Sequence, residues 1–121
     1  MPKPLKRDRP ELEERFLWQL RGAGLPEPVG QFLFDSEPKY RFDWAWPGRK
    51  LAVEIQGGLW VTGGHGGGAR ALDDYRKHNA AVRLGWRVLY FAADMLNTTE
   101  ALDTVEPFLR SLPPCLPISL F

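Results

Sequence analysis

The stretch FDWAWPGRKLAVEIQ, residues 42–56, is predicted to form two short strands joined by a turn. Successive side chains of a strand point to opposite faces of a sheet. In the first strand we therefore expect Phe42, Trp44 and Trp46 to share one apolar face. Asp43 then lies on the other face, in a strand that its aromatic neighbours anchor in the core.

The second strand shows the same alternation, with an apolar face formed by Leu51, Val53 and Ile55. Glu54 and Gln56 share the opposite face. A turn over residues 47–50 places Asp43 directly opposite Glu54, at the Cβ separation of about 5 Å that cross-strand neighbours have.

This predicted pairing brings together two carboxylates, which repel each other unless a proton or a cation lies between them. Hard cations such as Mg²⁺ prefer oxygen ligands. Asp43 and Glu54 are therefore candidate metal ligands, and the backbone carbonyl of Ile55 is a candidate third oxygen. The arrangement points to phosphodiester chemistry, although a plain pair of surface charges has the same spacing.

The composition is that of one small globular domain: 121 residues, 44% hydrophobic and 26% charged. A net charge of +1 gives no strong electrostatic sign of a nucleic-acid partner. The basic residues nearest the N-terminus are Lys3, Lys6, Arg7 and Arg9. We expect residues 1–10 to form a basic arm, which either lies on phosphates or remains a solvated tail.

Cysteine usage and hydropathy limit the class of protein further. Cys115 is the single cysteine, which excludes an internal disulfide and a cysteine-based zinc cluster. No apolar run approaches the ~20 residues of a membrane span, and no leader resembles a secretory signal. We therefore expect a cytoplasmic protein with no membrane partner.

Periodicity and turn residues predict the order helix, three strands, helix, strand, helix, which is an α/β sandwich with a mixed sheet. The predicted segments are helices at 11–21 and 69–84, strands at 31–34, 42–46, 50–56 and 87–91, and a third helix opening at Thr98. Gly85 is the expected stop of the second helix. Pro107 is expected to kink the third helix or end it early. Residues 113–121 form an apolar tail that we expect to pack on the domain or on a partner subunit.

Three further side chains are candidates for the chemistry. Gln56 shares a face with Glu54 and can orient a water or a phosphate. Lys77 of the second helix can supply positive charge, and Glu13 of the first helix is an additional acid. Ordinary helix roles remain open for both: a solvated Glu13, and an ion pair of Lys77 with an aspartate three or four residues earlier.

Four other residues are candidate substrate contacts: Trp60, His65, Arg70 and Asn79. His65 lies in a glycine-rich loop, residues 63–68, whose backbone N–H groups a phosphate can approach closely. Trp60 belongs either to a dimer surface, with Val61 and the apolar tail, or to a place where a base stacks.

Taken together, several segments resemble the PD-(D/E)XK nuclease superfamily. They are Glu13, RFD at 41–43, EIQGG at 54–58, GH at 64–65, DYRKHN at 74–79 and GWRVL at 85–89. Within the superfamily the chain is most similar to small phage and archaeal-type Holliday junction resolvases and to their short-patch-repair-type relatives. The resemblance covers about residues 11–95. It implies a restriction-endonuclease-like three-layer fold, a mixed β-sheet flanked by helices, for a nuclease domain at residues 11–112.

The resemblance also implies a function in DNA recombination and repair. A homodimer would resolve four-way DNA junctions by paired nicks, using Mg²⁺ with Mn²⁺ as a substitute, in the cytoplasm (of the host, for a phage protein). Asp43 and Glu54 match the metal-binding acids of the family, and Glu13 matches the acid of its first helix.

One departure from the family pattern concerns the catalytic lysine. The pattern usually has lysine two residues after the second acid, where this chain has Gln56. Either Gln56 is tolerated there or Lys77 takes the role from the following helix. The alternatives are a short-patch-repair-type or restriction-type endonuclease, or a catalytically weakened DNA-binding relative.

Overall fold

The computed structural model describes the backbone of residues 9–56 and 67–111 and the side chains of residues 9–56 and 71–110. Its helices are α1 (Arg9–Gly22), α2 (Gly67–Arg83), α3 (Ala93–Leu96) and α4 (Glu100–Ser111). Its strands are β1 (Val29–Ser36), β2 (Lys39–Trp46), β3 (Leu51–Gln56) and β4 (Arg87–Ala92), with a 3₁₀ turn at Pro47–Arg49 between β2 and β3. None of the described helices is long and apolar enough to cross a membrane.

The four strands form one mixed sheet in the order β1-β2-β3-β4. The pairs β1–β2 and β2–β3 are antiparallel, whereas β3 and β4 are parallel and are connected through α2. Side chains of α1, α3 and α4 pack on one face of the sheet and Ala81 of α2 packs on the other. This three-layer α/β arrangement confirms the predicted fold class.

The larger core lies between the sheet and helices α1, α3 and α4. Phe16 of α1 is fully buried, and its ring centroid lies 5.2 Å from that of Trp44 and 6.1 Å from that of Phe91. Complete burial of a phenylalanine contributes about 1.5–3 kcal/mol. These contacts therefore fix α1 against the middle of the sheet.

The smaller core lies on the α2 face of the sheet and contains Phe42, Ala45, Ala52, Ala81 and Trp86. The prediction that Phe42 shares a face with Trp44 and Trp46 is wrong, because both tryptophans belong to the larger core. Phe42 instead meets Trp86 edge-on, with 4.9 Å between ring centroids. The physical reason is a break at Asp43 in the alternation of side chains along β2. Asp43 lies just beyond the last regular β2–β3 pair, Trp44 with Val53, and Phe42 therefore lies on the α2 face of the sheet.

The helices differ from the prediction at three places. α1 begins at Arg9, inside the segment expected to be a basic arm. α3 was missed by the periodicity because four residues are too few to show a helical period. α4 continues through Pro107 to Ser111 rather than ending early, and Leu109, beyond the proline, is buried in the larger core.

Gly85 ends α2 as predicted. Its φ of +88° lies in the left-handed region that favours glycine. The N–H groups of Gly85 and Trp86 donate to the carbonyls of Val82 and Ala81 at 3.0 and 2.9 Å. These bonds satisfy carbonyls at the helix end and direct the chain into β4, beside β3.

Candidate active site

Asp43 and Glu54 lie side by side where β2 and β3 leave their regular pairing, which ends at Trp44 and Val53. The N–H of Asp43 donates to Oε2 of Glu54 at 2.8 Å. The N–H of Ile55 donates to Oδ2 of Asp43 at 2.7 Å. Each carboxylate thus accepts a backbone hydrogen bond from the opposite strand, and the structure brings together the two acids that the sequence pairs.

The neighbouring strand β1 is irregular at the same level. Gln31 has a φ of +50°, a conformation that costs a non-glycine residue about 1 kcal/mol. The β1–β2 ladder skips the position where Gln31 would pair with Asp43, although the pairs on either side are present. The N–H of Asp43 therefore bonds to Glu54 instead of joining that ladder.

Two cations contact the remaining oxygens of the pair. The guanidinium of Arg9, the first residue of α1, forms an ion pair with Oδ1 of Asp43. The ammonium of Lys77, on α2, lies 2.5 Å from Oε1 of Glu54. α1 and α2 cover opposite faces of the sheet, so one cationic side chain reaches the two acids from each face.

Glu13 completes this charged cluster. Its Oε2 accepts a hydrogen bond from Nε of Arg9 at 2.9 Å, so it reaches Asp43 through the arginine. We call Arg9, Glu13, Asp43, Glu54 and Lys77 the charged cluster. It carries three negative and two positive charges, which leaves it attractive to a further cation.

The surroundings shift the pKa of two members of the charged cluster. Burial raises the pKa of Glu54, and the charge of Asp43 adds to that effect, against the lowering effect of its hydrogen bonds from Lys77 and the Asp43 N–H. For Arg9, burial alone would lower the pKa, but the hydrogen bond to Glu13 and the charge of Asp43 raise it. Burial therefore disfavours the charged form of Glu54.

Lys77 does not form the intrahelical ion pair that the sequence left open. Its ammonium pairs with Glu54 of β3 instead, whereas Arg76 lies 3.9 Å from the carboxylate of Asp73. The sheet, rather than its own helix, therefore determines what Lys77 contacts.

Gln56 ends β3 with an exposed side chain and lines an open groove of about 670 Å³. The groove runs between β3, β4 and α2, and its other lining residues are Asp74, Tyr75, His78, Asn79 and Tyr90. The lining is neutral or acidic and aromatic. Asn79, a predicted substrate contact, is therefore placed beside Gln56, in a groove next to the charged cluster.

Tyr90 connects this groove to the acids. The parallel register of β3 and β4 places it beside Glu54, and its hydroxyl lies 3.0 Å from Nδ1 of His78. Burial raises the pKa of Tyr90, with further contributions from the charges of Glu54 and Asp74. The hydroxyl of Tyr90 therefore stays protonated at neutral pH and can form a hydrogen bond with His78.

Several predicted features lie outside the described residues: residues 1–8 of the basic arm, Trp60, Val61, His65 and the tail at 113–121. The backbone of Arg70 belongs to α2, but its side chain is also outside them. Their roles as substrate contacts or dimer surface remain predictions.

Sequence reasoning missed Arg9 and the pair of Tyr90 with His78. Arg9 carried one usable signal, because it lies four residues before Glu13 and such pairs attract on a helix. No local sequence pattern indicates the role of Tyr90, because its position beside Glu54 depends on the parallel register of two strands separated by a helix.

The donor set fits Mg²⁺ or Mn²⁺. In the part of the chain whose side chains are described, no group of three or more His, Cys, Asp or Glu forms a ready-made metal cage. Mg²⁺ does not require one, because proteins commonly hold it through one or two carboxylates, with water and substrate phosphates as the other ligands. Oδ1 of Asp43 and Oε1 of Glu54 already attract cationic groups, which shows that these oxygens serve as cation acceptors.

No protein-family model and no curated protein matches the sequence. The structure is similar to a solved one, described as the catalytic domain of the homing endonuclease I-Bth0305I. The TM-score is 0.59 at 21% sequence identity, over 80% of this chain and 91% of that one. This chain has the fold of an endonuclease catalytic domain. The fold is what this level of identity establishes.

Proposed function

We propose that this chain is a divalent-metal-dependent endonuclease that hydrolyses phosphodiester bonds of DNA. The observation that supports the proposal most is the pair of Asp43 and Glu54, held together by two hydrogen bonds to the backbone on a nuclease-like fold. The sequence resemblance to PD-(D/E)XK nucleases assigns these same two residues to metal binding.

In this proposal Asp43 and Glu54 hold Mg²⁺ or Mn²⁺, and the carbonyl of Ile55 is the expected third protein ligand. The bound ion supplies Lewis-acid stabilisation of the negative charge that develops on the phosphate and on the departing oxygen. The protein fixes both carboxylates before substrate arrives, because each is already hydrogen-bonded to the opposite strand.

Lys77 takes the position of positive charge that the family usually gives to a strand lysine. Its ammonium already contacts Glu54 and is about one-quarter exposed, so it lies at the edge of the site where a phosphate arrives. Gln56, whose side chain is exposed at the end of β3, orients the attacking water or the phosphate by hydrogen bonds. Glu13 is the additional acid beside this pair, and it anchors the guanidinium of Arg9 through a hydrogen bond.

For the substrate we propose branched DNA, specifically a four-way junction nicked by two subunits of a homodimer. The support is the sequence resemblance to small Holliday junction resolvases. In this proposal the tyrosines of the groove beside Gln56 stack on exposed bases of the branched DNA, because such stacking does not depend on sequence.

The test is incubation of labelled four-way, forked and linear DNA with the protein in Mg²⁺, Mn²⁺ or EDTA. Paired symmetric nicks on the four-way substrate support resolution of junctions. Preference for linear duplex in a fixed sequence context supports a short-patch-repair-type or restriction-type enzyme instead.

The same assay tests the metal ligands. Asp43→Asn and Glu54→Gln should each lower the cleavage rate by about 100-fold or more, the scale expected when one charge-stabilising group is removed, while DNA binding persists. Glu27→Gln is the matched control, because Glu27 is an exposed acid paired with Arg21 away from the site. Cleavage at the wild-type rate in both Asp43→Asn and Glu54→Gln would overturn the proposed site.

A catalytically weakened DNA-binding relative is the second candidate. It is favoured by Gln56 in the usual lysine position and by Arg9 and Lys77 contacting the acids. Binding of branched DNA without cleavage in either Mg²⁺ or Mn²⁺ would select it.

A further inference from the structure

Arg9 contacts the oxygen of Asp43 that the backbone leaves available. Oδ2 of Asp43 accepts the N–H of Ile55, which leaves Oδ1 to face a cation, and the guanidinium of Arg9 forms an ion pair there. A divalent ion bound to the same carboxylate would meet this positive charge at close range. Arg9 and the metal therefore compete for Asp43.

Arg9 is also placed so that it can leave Asp43 without leaving the site. Its side chain is 44% exposed, and its Nε is hydrogen-bonded to Glu13 on the same helix. The guanidinium of Arg9 can therefore turn away from Asp43 while its hydrogen bond to Glu13 remains, without any change in the fold. A guanidinium matches the geometry of a phosphate group and keeps its charge at any working pH.

We propose that Arg9 is a phosphate-binding residue that exchanges Asp43 for the DNA backbone when the divalent metal binds. This inference rests on the proposed function. Without metal, the ion pair with Asp43 keeps Arg9 from the substrate. Metal binding releases it, so metal and DNA favour each other, and the coupling between them is reciprocal.

The first experiment measures Mn²⁺ affinity by isothermal titration calorimetry without DNA. Arg9→Gln removes the competing charge and should bind Mn²⁺ several-fold more tightly than the wild type. Arg21→Gln is the matched control, since Arg21 lies on the same helix, is exposed and pairs with Glu27; it should bind as the wild type does.

The second experiment measures the salt dependence of DNA binding. One phosphate contact contributes a slope of about −0.9 in a plot of log affinity against log salt. In EDTA the wild type and Arg9→Gln should have equal slopes, because Arg9 is held by Asp43. With Ca²⁺, which shares the oxygen preference of Mg²⁺, the wild-type slope should be steeper than that of Arg9→Gln by about 1.

Arg9→Lys separates charge from shape, because a lysine retains the positive charge but has no fork to contact both carboxylates. It should keep the Ca²⁺-dependent slope and bind Mn²⁺ with an affinity between those of the wild type and Arg9→Gln.

The outcomes are distinguishable. A wild-type protein that neither binds Mn²⁺ nor cleaves DNA overturns the proposed function and this inference with it. If the wild type binds Mn²⁺ and cleaves DNA, but Arg9→Gln matches Arg21→Gln in both experiments, the inference alone is overturned.

Discussion

The contact between Lys77 and Glu54 gives a prediction whose size follows from the structure. Lys77→Met keeps most of the side-chain length and removes the charge 2.5 Å from Oε1 of Glu54. The side chains are 26% and 13% exposed, so the pair lies closer to the buried than to the exposed limit. Loss of one partner costs about 3–5 kcal/mol for a buried pair and about 0.2–1 kcal/mol for an exposed one. We expect Lys77→Met to lower the free energy of unfolding by about 2 kcal/mol at neutral pH.

The assay is urea unfolding followed by tryptophan fluorescence. For a domain with a slope of about 1–3 kcal/mol per molar urea, the midpoint should fall by about 1 M. Because the interaction requires an ionised Glu54, the difference between the two proteins should shrink as the pH falls through the raised pKa of that residue.

A double-mutant cycle isolates the pair. With Glu54→Gln as the background, Lys77→Met should change the free energy of unfolding by less than about 0.5 kcal/mol. An equal loss in both backgrounds would show that Lys77 acts through its packing and that the ion pair contributes nothing.

Three further predictions concern pH, the core and the missing lysine. Burial raises the pKa of Glu54 above its unfolded value, so protonation of Glu54 favours the folded state. This contribution to stability is present below the unfolded pKa and is lost as pH rises through the folded pKa. Glu54→Gln should remove that pH dependence, as measured by urea unfolding at several pH values. At Mg²⁺ concentrations too low to saturate the site, cleavage should fall on acidification at a higher pH than for an ordinary glutamate, because the proton and the metal compete for Glu54. A pH–rate profile that matches an unshifted carboxylate under these conditions would contradict this. Phe16→Ala should cost about 3–5 kcal/mol by leaving a cavity against the sheet, seen as a fall in Tm of more than about 10 °C; a fall of only a few degrees would mean that α1 is not fixed by this ring. Lys77→Met should cleave DNA more slowly than the wild type, because it removes the positive charge proposed to face the phosphate. Gln56→Lys should restore cleavage to Lys77→Met, since it returns a lysine to the usual strand position, and a double variant as slow as Lys77→Met would show that the two positions are not interchangeable.

Local features of the sequence were sufficient for the sheet segments and for the two acids. The strand period of two residues and the turn over 47–50 are properties of neighbouring residues, so the hairpin register that joins Asp43 to Glu54 follows from one short stretch. Gly85 marked the end of α2 for the same reason, because its left-handed conformation is a local requirement. The side of Phe42 was mispredicted because the shift at Asp43 depends on a bond to the next strand.

The sequence alone thus determined which acids meet, because a hairpin turn fixes its own cross-strand neighbours. The tertiary structure decided which cations and which hydroxyl join them. Arg9 reaches Asp43 because Phe16 docks α1 on the sheet, and Lys77 reaches Glu54 because α2 covers the opposite face. Tyr90 lies beside Glu54 because β4 returns parallel to β3. Each of these contacts joins residues far apart in the chain, so it depends on how whole helices and strands bury their apolar faces.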